Sequence, residues 1–204
     1  MRPGTIVLAH GPLDPPDRWA ETADALRDAG YRVIAPEVTP IGPPYAVGWV
    51  AGAARPLHAA APPTPIVLVG HGMAGPLLPA LARTQRAARR QVGGYIFVDA
   101  SLPRAGQQSH LDLLRAADPD AAERIHADLH DDAGHAHELW TEPLPPAIDW
   151  PDAPCGYIRT GAEGAATGPP EWWARSAEQR GWLVDRTGRE LITTLRETID
   201  RLAG

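Results

Sequence analysis

Apolar and polar residues follow two different rhythms along the chain. Six short runs rich in Val, Ile and Leu have the length of buried strands, and most segments between them place apolar residues three or four positions apart, as amphipathic helices do. Alternating strands and helices favour a parallel sheet with helices on both faces. The pattern predicts strands over 5–10, 31–37, 65–70, 94–100, 155–161 and 181–187, and helices over 16–30, 45–60, 74–91 and 188–203.

The segment 101–154 interrupts this rhythm. It holds polar helical stretches, five histidines and a proline-rich end, and it does not fit a further layer of the sheet. Insertions after the carboxyl end of a strand often cover the binding site of an α/β protein. We therefore predict an α/β fold of about six parallel strands in one domain over 1–204, with 101–154 as a short helical lid.

Composition and charge narrow the function classes. The chain has 204 residues, of which 44% are hydrophobic and 22% charged, as in ordinary soluble domains. The net charge is −6, and the one basic cluster, over 83–90, is typical of the solvated end of a helix. No run reaches the roughly 20 apolar residues of a membrane span, and no signal-peptide pattern is present. We expect a cytoplasmic protein that binds neither nucleic acid nor membrane.

The cysteine and histidine patterns do not favour a metal site. The single cysteine, Cys155, lies in a predicted strand and is expected to be a buried, unreactive thiol. His126 and His130 are four residues apart on one predicted helix, but the zinc-enzyme pattern places a glutamate where this chain has Ala127. Lid histidines that face water explain this pattern better, so we predict no metal and no cofactor.

The stretch IVLVGHGMAG, residues 66–75, combines a strand, a tight turn of small residues and the start of a helix. In one large class of enzymes such a turn reads G-x-S-x-G and carries a nucleophilic serine at its tip. The tip here is Gly72, which has no side chain. The stretch therefore looks like a nucleophile elbow without its nucleophile.

Together with this turn, four further stretches resemble the α/β-hydrolase family over nearly the whole chain. They are VLAHGPLDPPDRWAETADAL, YRVIAPE, YIFVDASLPRAG and CGYIRTGAEG. The resemblance implies the strand order 2-1-3-4-5-6, an oxyanion loop at the HG pair after the first strand and a nucleophile elbow at GHGMAG. It also implies a carboxylate after the fourth or fifth strand and a catalytic histidine before the last helix.

Two of the three catalytic positions of that family do not carry over. The family has serine, aspartate or cysteine where this chain has Gly72, and histidine where this chain has RTGRE, so that Arg189 or Glu190 occupies the position of the base. A guanidinium stays charged and cannot serve as a general base. The two acid positions offer Asp99 and Glu163. We therefore expect no Ser-His-Asp hydrolysis.

The anion-stabilising part of the elbow is expected to remain beside Gly72. The backbone N–H of Met73 lies at the start of a predicted helix, where unpaired donors and the helix dipole favour negative charge. The loop at Gly11 would supply the second donor, although Pro12 has no N–H. Each such donor typically contributes ~3–4 kcal/mol to transition-state stabilisation.

Four side chains are candidates for proton transfer at this site. His10 and His71 lie on adjacent predicted strands, and an imidazole titrates near neutral pH; alternatively, each of them orders its own loop. Asp99 is either a base or an acceptor for loop N–H groups. Glu163 lies in a glycine-rich loop and is either a base or exposed to solvent.

Several further residues are candidates for substrate contacts. Trp140 in the lid segment and Trp172 and Trp173 near the expected mouth of the site could form the wall of an apolar pocket, with ordinary packing as the alternative. Arg189 would contact an acidic ligand if it faced the pocket. If Arg189 instead forms a surface salt bridge, its presence shows only that this chain lacks the catalytic histidine of the family.

These features predict a non-hydrolytic enzyme of the cyclase, lyase or isomerase type in secondary metabolism. Its substrate is expected to be an apolar, carbonyl-bearing small molecule. Two alternatives stay open at this point. One is a catalytically inactive pseudo-hydrolase that binds a ligand or partner, and the other is a hydrolase in which Glu163 or Asp99 activates water.

Overall fold

Six parallel strands form one sheet in the order β2-β1-β3-β4-β5-β6. The computed structural model describes residues 3–39, 42–131, 135–161, 167–186 and 188–202. The strand order and the parallel pairing confirm the fold predicted from the sequence. The strands are β1 (Thr5–Ala9), β2 (Val33–Ile34), β3 (Ile66–His71), β4 (Val92–Val98), β5 (Cys155–Ile158) and β6 (Leu183–Asp185).

Helices cover both faces of this sheet. They are α1 (Ala20–Asp28), α2 (Tyr45–Ala60), α3 (Leu78–Ala87), α4 (His110–Ala117), α5 (Pro119–Asp131), α6 (His135–Thr141), α7 (Pro170–Gln179) and α8 (Leu191–Leu202). Successive residues of a strand point to opposite sides. In β1, Val7 therefore packs with residues of α2, α3 and α7, whereas Ile6 and Leu8 pack with residues of α1 and α8.

Several elements are shorter than the sequence predicts, and two of these differences fall at prolines. β2 contains only two residues of the predicted strand 31–37, and Pro36, which has no N–H to donate to a neighbouring strand, follows closely. The helix predicted over 74–91 begins at Leu78, because Gly72–Leu77 forms a 3₁₀ helix that contains Pro76.

The predicted lid segment folds into α4, α5 and α6. Its apolar side chains Leu111, Leu114 and Trp140 form a cluster with Tyr45 of α2 and with Met73, the residue after Gly72. The segment therefore covers the turn that follows β3. Within the described ranges, no helix has the length and apolarity needed to cross a membrane.

Glu142, the residue after α6, caps the beginning of α2. Both of its carboxylate oxygens accept backbone hydrogen bonds, one from the Tyr45 N–H at 2.8 Å and one from the Ala46 N–H. The first turn of α2 has no acidic residue, and its N-cap, Pro44, makes no side-chain cap. Because carboxylates favour helix N-termini, the lid segment supplies the anion that α2 lacks.

We expect Glu142→Gln to lower the free energy of unfolding by about 1–2 kcal/mol, because charge-assisted hydrogen bonds to two helix N–H groups are weakened. Urea denaturation of both proteins measures the change. Glu138→Gln is the matched control. Glu138 is exposed, and it lines, together with Glu142 and Pro44, a cavity of about 440 Å³ between the insertion and the start of α2. Equal losses in the two variants would contradict the capping role.

Candidate functional site

The turn after β3 has the conformation of a sharp elbow. β3 ends at His71, and Gly72 adopts a φ of 56° in the left-handed region, where a side chain is strained. The N–H of Ser101, just after β4, donates to the carbonyl oxygen of Gly72 at 3.3 Å. The strand, turn and helical start predicted for 66–75 are therefore present, with Gly72 at the tip.

Gly75 lets the elbow lie directly against the segment after β4. A Cβ atom built on Gly75 would lie 2.0 Å from the carbonyl oxygen of Ser101 and 3.1 Å from the Cβ of Ala100. No side chain fits between these backbones. The last glycine of GHGMAG is thus required by packing, whatever the chemistry of the turn.

The loop after β1 comes close to the elbow, as the predicted oxyanion site requires. A Cβ atom built on Gly11 would lie 3.2 Å from the Met73 nitrogen. The Gly11 N–H, however, already donates to Asp14 Oδ2 at 2.7 Å, and Asp14 N–H donates back to the Gly11 carbonyl at 3.0 Å. While this turn is formed, Asp14 rather than a ligand accepts the Gly11 donor, and Met73 is the donor left for an oxyanion.

Asp14 is also bonded to His71, the residue before the elbow tip. Its Oδ2 lies 2.7 Å from His71 Nδ1, and Arg18 Nη2 lies 2.7 Å from His71 Nε2. Since a guanidinium only donates, Nε2 must accept, and the remaining proton on Nδ1 is donated to Asp14. Arg18, His71 and Asp14 thus form a chain of hydrogen bonds that ends at the elbow.

The ionised form of Asp14 is favoured in this chain. Burial by itself would raise the pKa of the carboxyl group. The hydrogen bond from His71 opposes burial most strongly, with smaller contributions from the Gly11 N–H and from Arg18, and together they hold the pKa below its usual value. The side chains of Asp14 and His71 stay 22% and 15% exposed, so solvent reaches both.

His10 holds two loops together from a buried position. The Val38 N–H donates to His10 Nε2 at 2.9 Å, so that Nδ1 carries the proton and donates to the Gly11 carbonyl at 2.8 Å. Both ring nitrogens are occupied by backbone groups. Of the two roles expected for His10, this geometry favours ordering of the loop over proton transfer.

Asp99 joins the ends of β4 and β5. The side chain is buried, its Oδ1 accepts from the Thr160 N–H at 3.0 Å, and its Oδ2 accepts from the Thr160 hydroxyl. Its own backbone has a φ of 44°, a conformation that aspartate tolerates better than most residues. The contacts favour the acceptor role for Asp99. The other acid candidate, Glu163, lies outside the described residues.

Arg189 lies at the surface. Its guanidinium donates to Asp185 at 2.9 Å and to both carboxylate oxygens of Glu197, at 2.8 and 3.0 Å. These hydrogen bonds raise the pKa of Arg189 further above its usual value. Of the two positions expected for this side chain, the structure shows the surface salt bridge.

The three tryptophans predicted to line a pocket occupy different places. Trp140 is buried in the lid cluster that contains Met73. Trp173 is buried in the main cluster below the lid, where its Nε1 donates to the Thr167 carbonyl at 2.5 Å, and Trp172 packs edge-on against it at 4.5 Å between ring centroids. Trp140 thus shares its cluster with Met73, whereas Trp173 shares its cluster with Ala74 of the same turn, and a role of these rings in substrate contacts stays a prediction.

In the part of the chain that the structure describes, no group of three or more histidine, cysteine, aspartate or glutamate side chains is arranged to hold a metal ion. His126 lies on α5, and His137 lies on α6 with its Nδ1 3.5 Å from the Thr141 hydroxyl. The candidate site at the elbow therefore consists of backbone N–H donors and of the hydrogen-bonded side chains of Arg18, His71 and Asp14.

Comparison with known proteins decides the family. The model of the alpha/beta hydrolase family matches residues 6–202. The chain belongs to the alpha/beta hydrolase family. Among curated protein sequences no relative matches at a significant level.

Solved structures share this alpha/beta hydrolase fold over the full chain. An extracellular alpha/beta-hydrolase from a Paenibacillus species is 16% identical, with a TM-score of 0.66 and coverage of 98% of this chain and 99% of its own. A polyneuridine aldehyde esterase mutant is 17% identical, with a TM-score of 0.57 and coverage of 98% and 97%. A variant of tomato methylketone synthase I, complexed with beta-ketoheptanoate, is 14% identical, with a TM-score of 0.60 and coverage of 99% and 100%.

Two residues of this alpha/beta hydrolase site were missed by the sequence prediction. Asp14 and Arg18 lie in the loop between β1 and α1, in the stretch HGPLDPPDR. Aspartate in a segment rich in proline and glycine is a signal for a turn. The signal predicts neither the bond to Gly11 nor the contact with His71, which is 57 residues away along the chain.

Proposed function

We propose that this member of the alpha/beta hydrolase family is a non-hydrolytic enzyme of the cyclase, lyase or isomerase type. Its substrate would be an apolar, carbonyl-bearing small molecule. The observation that carries the proposal is Gly72 at the elbow tip, because the turn is built as in a hydrolase while no side chain is there to form an acyl-enzyme. The neighbouring Met73 N–H supports a contact to a carbonyl oxygen.

The one cysteine of the chain does not offer a replacement nucleophile. Burial raises the pKa of Cys155 to about 12, which outweighs the opposite effect of the nearby Arg180, so the reactive thiolate is scarce at neutral pH. Cys155 is moreover the first residue of β5, whereas the elbow follows the carboxyl end of β3. This position supports a reaction without a covalent step on cysteine.

The solved structures that share this fold include enzymes with different reactions. One of them is an esterase, and another is a methylketone synthase complexed with beta-ketoheptanoate, a ligand with a carboxylate, a ketone and a short alkyl chain. The ketone group of that ligand belongs to the carbonyl class proposed for this chain, so ketones are the ligands with which to test it. The shared fold alone does not select a reaction.

The direct test follows carbonyl substrates in deuterated buffer. The protein is incubated with β-tetralone, propiophenone and a β,γ-unsaturated cyclohexenone, and proton NMR measures deuterium uptake next to the carbonyl and migration of the double bond. We expect uptake or migration faster than with heat-denatured protein. Rates equal to that control for all three ketones would overturn the proposal.

A second test concerns hydrolysis. We expect wild type and Gly72→Ser both to hydrolyse p-nitrophenyl acetate at the background rate, because the new serine would have no histidine base, as Arg189 is held at the surface by Asp185 and Glu197. Release of p-nitrophenol measures the rate. A gain of hydrolysis in Gly72→Ser would show that a group other than histidine can activate the serine and would contradict this expectation.

A catalytically inactive pseudo-hydrolase is the second candidate, and one observation favours it. The Gly11 N–H is taken by Asp14, so one of the two predicted oxyanion donors is already used by the protein itself. This candidate predicts no turnover of any ketone in the NMR assay. Ligand binding without turnover would be seen as a rise in melting temperature with unchanged NMR spectra.

The remaining alternative is hydrolysis by a carboxylate that activates water. Asp99 is poorly suited to it, because both of its oxygens accept hydrogen bonds from Thr160. Glu163 is tested by substitution. Hydrolysis of p-nitrophenyl acetate by wild type that disappears in Glu163→Gln would favour this alternative over the non-hydrolytic enzyme.

A further inference from the structure

The loop after β1 brings a carboxylate to the place that an elbow nucleophile would face. A Cβ atom built on Gly72 would lie 3.8 Å from Asp14 Oδ2 and 4.0 Å from Asp14 Oδ1. These two oxygens are the nearest heavy atoms to that position outside the adjoining residues. A group bound over Gly72 would therefore meet Asp14 first.

We infer that Asp14 is the catalytic base of this elbow and that His71 is its positioning residue. The inference rests on the proposed function and names the group that performs the proton transfer in it. The substrate class is that of ketones with a hydrogen on the carbon next to the carbonyl.

The two oxygens of Asp14 have different tasks in this arrangement. Oδ2 accepts both the Gly11 N–H and the His71 Nδ1–H, at 2.7 Å each, which fixes the plane of the carboxylate. Neither of these bonds uses Oδ1. We assign to Oδ1 the contact with the substrate, because a carboxylate anchored through one oxygen presents the other in a fixed direction.

His71 is held in turn by its surroundings. Arg18 donates to Nε2, which fixes the tautomer with the proton on Nδ1, and the Trp19 ring packs edge-on at 6.1 Å between centroids. The three side chains carry one negative and one positive charge with a neutral imidazole between them. The site can therefore accept a neutral ketone without an uncompensated charge.

The proton transfer balances without a further reactant. Asp14 Oδ1 takes the proton from the carbon next to the carbonyl, the C–H electron pair moves into the enolate, and the carbonyl oxygen gains the negative charge. The Met73 N–H donates to that oxygen. The proton then returns from the Asp14 carboxyl to the same carbon or, in a β,γ-unsaturated ketone, to the far end of the former double bond.

The test is the NMR assay with Asp14→Asn. Asparagine keeps an oxygen for the Gly11 N–H but has no basic carboxylate, so we expect deuterium uptake to fall by about a hundredfold, as for loss of a general base. Asp17→Asn is the matched control, because Asp17 is an exposed carboxylate of the same loop, and it should keep the wild-type rate. Rates are referred to folded protein, measured by circular dichroism.

A role of Asp14 as a structural staple of the loop predicts a different result. In that case Asp14→Asn, which can still close the turn, would keep the wild-type uptake per folded molecule, and the inference would be wrong while the proposed function stood. No uptake by wild type would overturn both. The two failures are thus distinguishable.

His71 is tested through the pH profile of the same reaction. His71→Ala removes the hydrogen bond that lowers the pKa of Asp14, so the acid limb of the rate profile should move to higher pH and the rate should fall about tenfold. His71→Asn, which can again donate to Asp14, should restore part of both effects. An unmoved acid limb in His71→Ala would contradict the positioning role, even if the rate changed.

Discussion

Gly75→Ala is expected to lower the free energy of unfolding by about 3 kcal/mol or more, the upper range for overpacking. The added methyl carbon would lie 2.0 Å from the carbonyl oxygen of Ser101. The obstacle is backbone that follows directly on β4, so no side chain can rotate away. Either β3 and its turn or the segment after β4 must shift, and urea denaturation would measure the cost.

Gly48→Ala is the control for this substitution. Gly48 lies within α2 at an exposed position, and the nearest heavy atom to a built Cβ is the Gly42 carbonyl oxygen at 3.9 Å, an ordinary contact. Alanine is favoured over glycine in a helix by about 1 kcal/mol. We therefore expect the same chemical change to stabilise the protein there. A loss at Gly48 equal to that at Gly75 would contradict the explanation by close approach.

The second large effect concerns acid. His110, the first residue of α4, is 3% exposed, and its Nε2 has no hydrogen-bond partner among the described residues. Burial lowers the pKa of this imidazole from 6.5 to about 3. The folded state therefore keeps His110 neutral while the unfolded chain takes up a proton below pH 6.5.

With respect to His110, the folded protein thus keeps its full stability above the pKa of this group in the unfolded chain, about 6.5, and loses stability as the pH falls below it. We expect a loss of about 1.4 kcal/mol per pH unit between roughly pH 6 and 4 from His110 alone. His110→Leu has no imidazole to protonate, so the free energy of unfolding of this variant should fall less steeply between pH 6 and 4. Urea denaturation at a series of pH values measures this slope. His58→Gln, at an exposed position on α2, should leave the slope as in wild type.

The sheet could be predicted from the sequence because its signal is local and repeated. Each central strand is a run of β-branched and apolar residues such as Ile66–His71, and these runs alternate with helical spacing. The order of the strands came from the family resemblance rather than from the pattern. The predicted length of the edge strand β2 is too great, because the spacing of apolar residues does not show where the backbone hydrogen bonds to the neighbouring strand end.

The backbone conformation of the elbow could be predicted from the sequence. The side chains that surround it, and their partners, could not. The turn at Gly72 is encoded in ten consecutive residues. The bond between Asp14 and His71 joins two loops, and the roles of His10 and Asp99 depend on which nearby backbone groups reach them. A polar residue at a strand end has the same sequence signal whether it binds a loop or a substrate.

The cap that Glu142 places on α2 limits how this fold can be rearranged. The two partners are 97 residues apart along the chain, so the first turn of α2 gains this cap only when the segment after α6 lies against it. An exchange of the insertion for one from another family member would remove that anion along with the helices. A transplanted lid would need a carboxylate in register with the Tyr45 N–H, or a new cap on α2 itself, before its own binding properties could be judged.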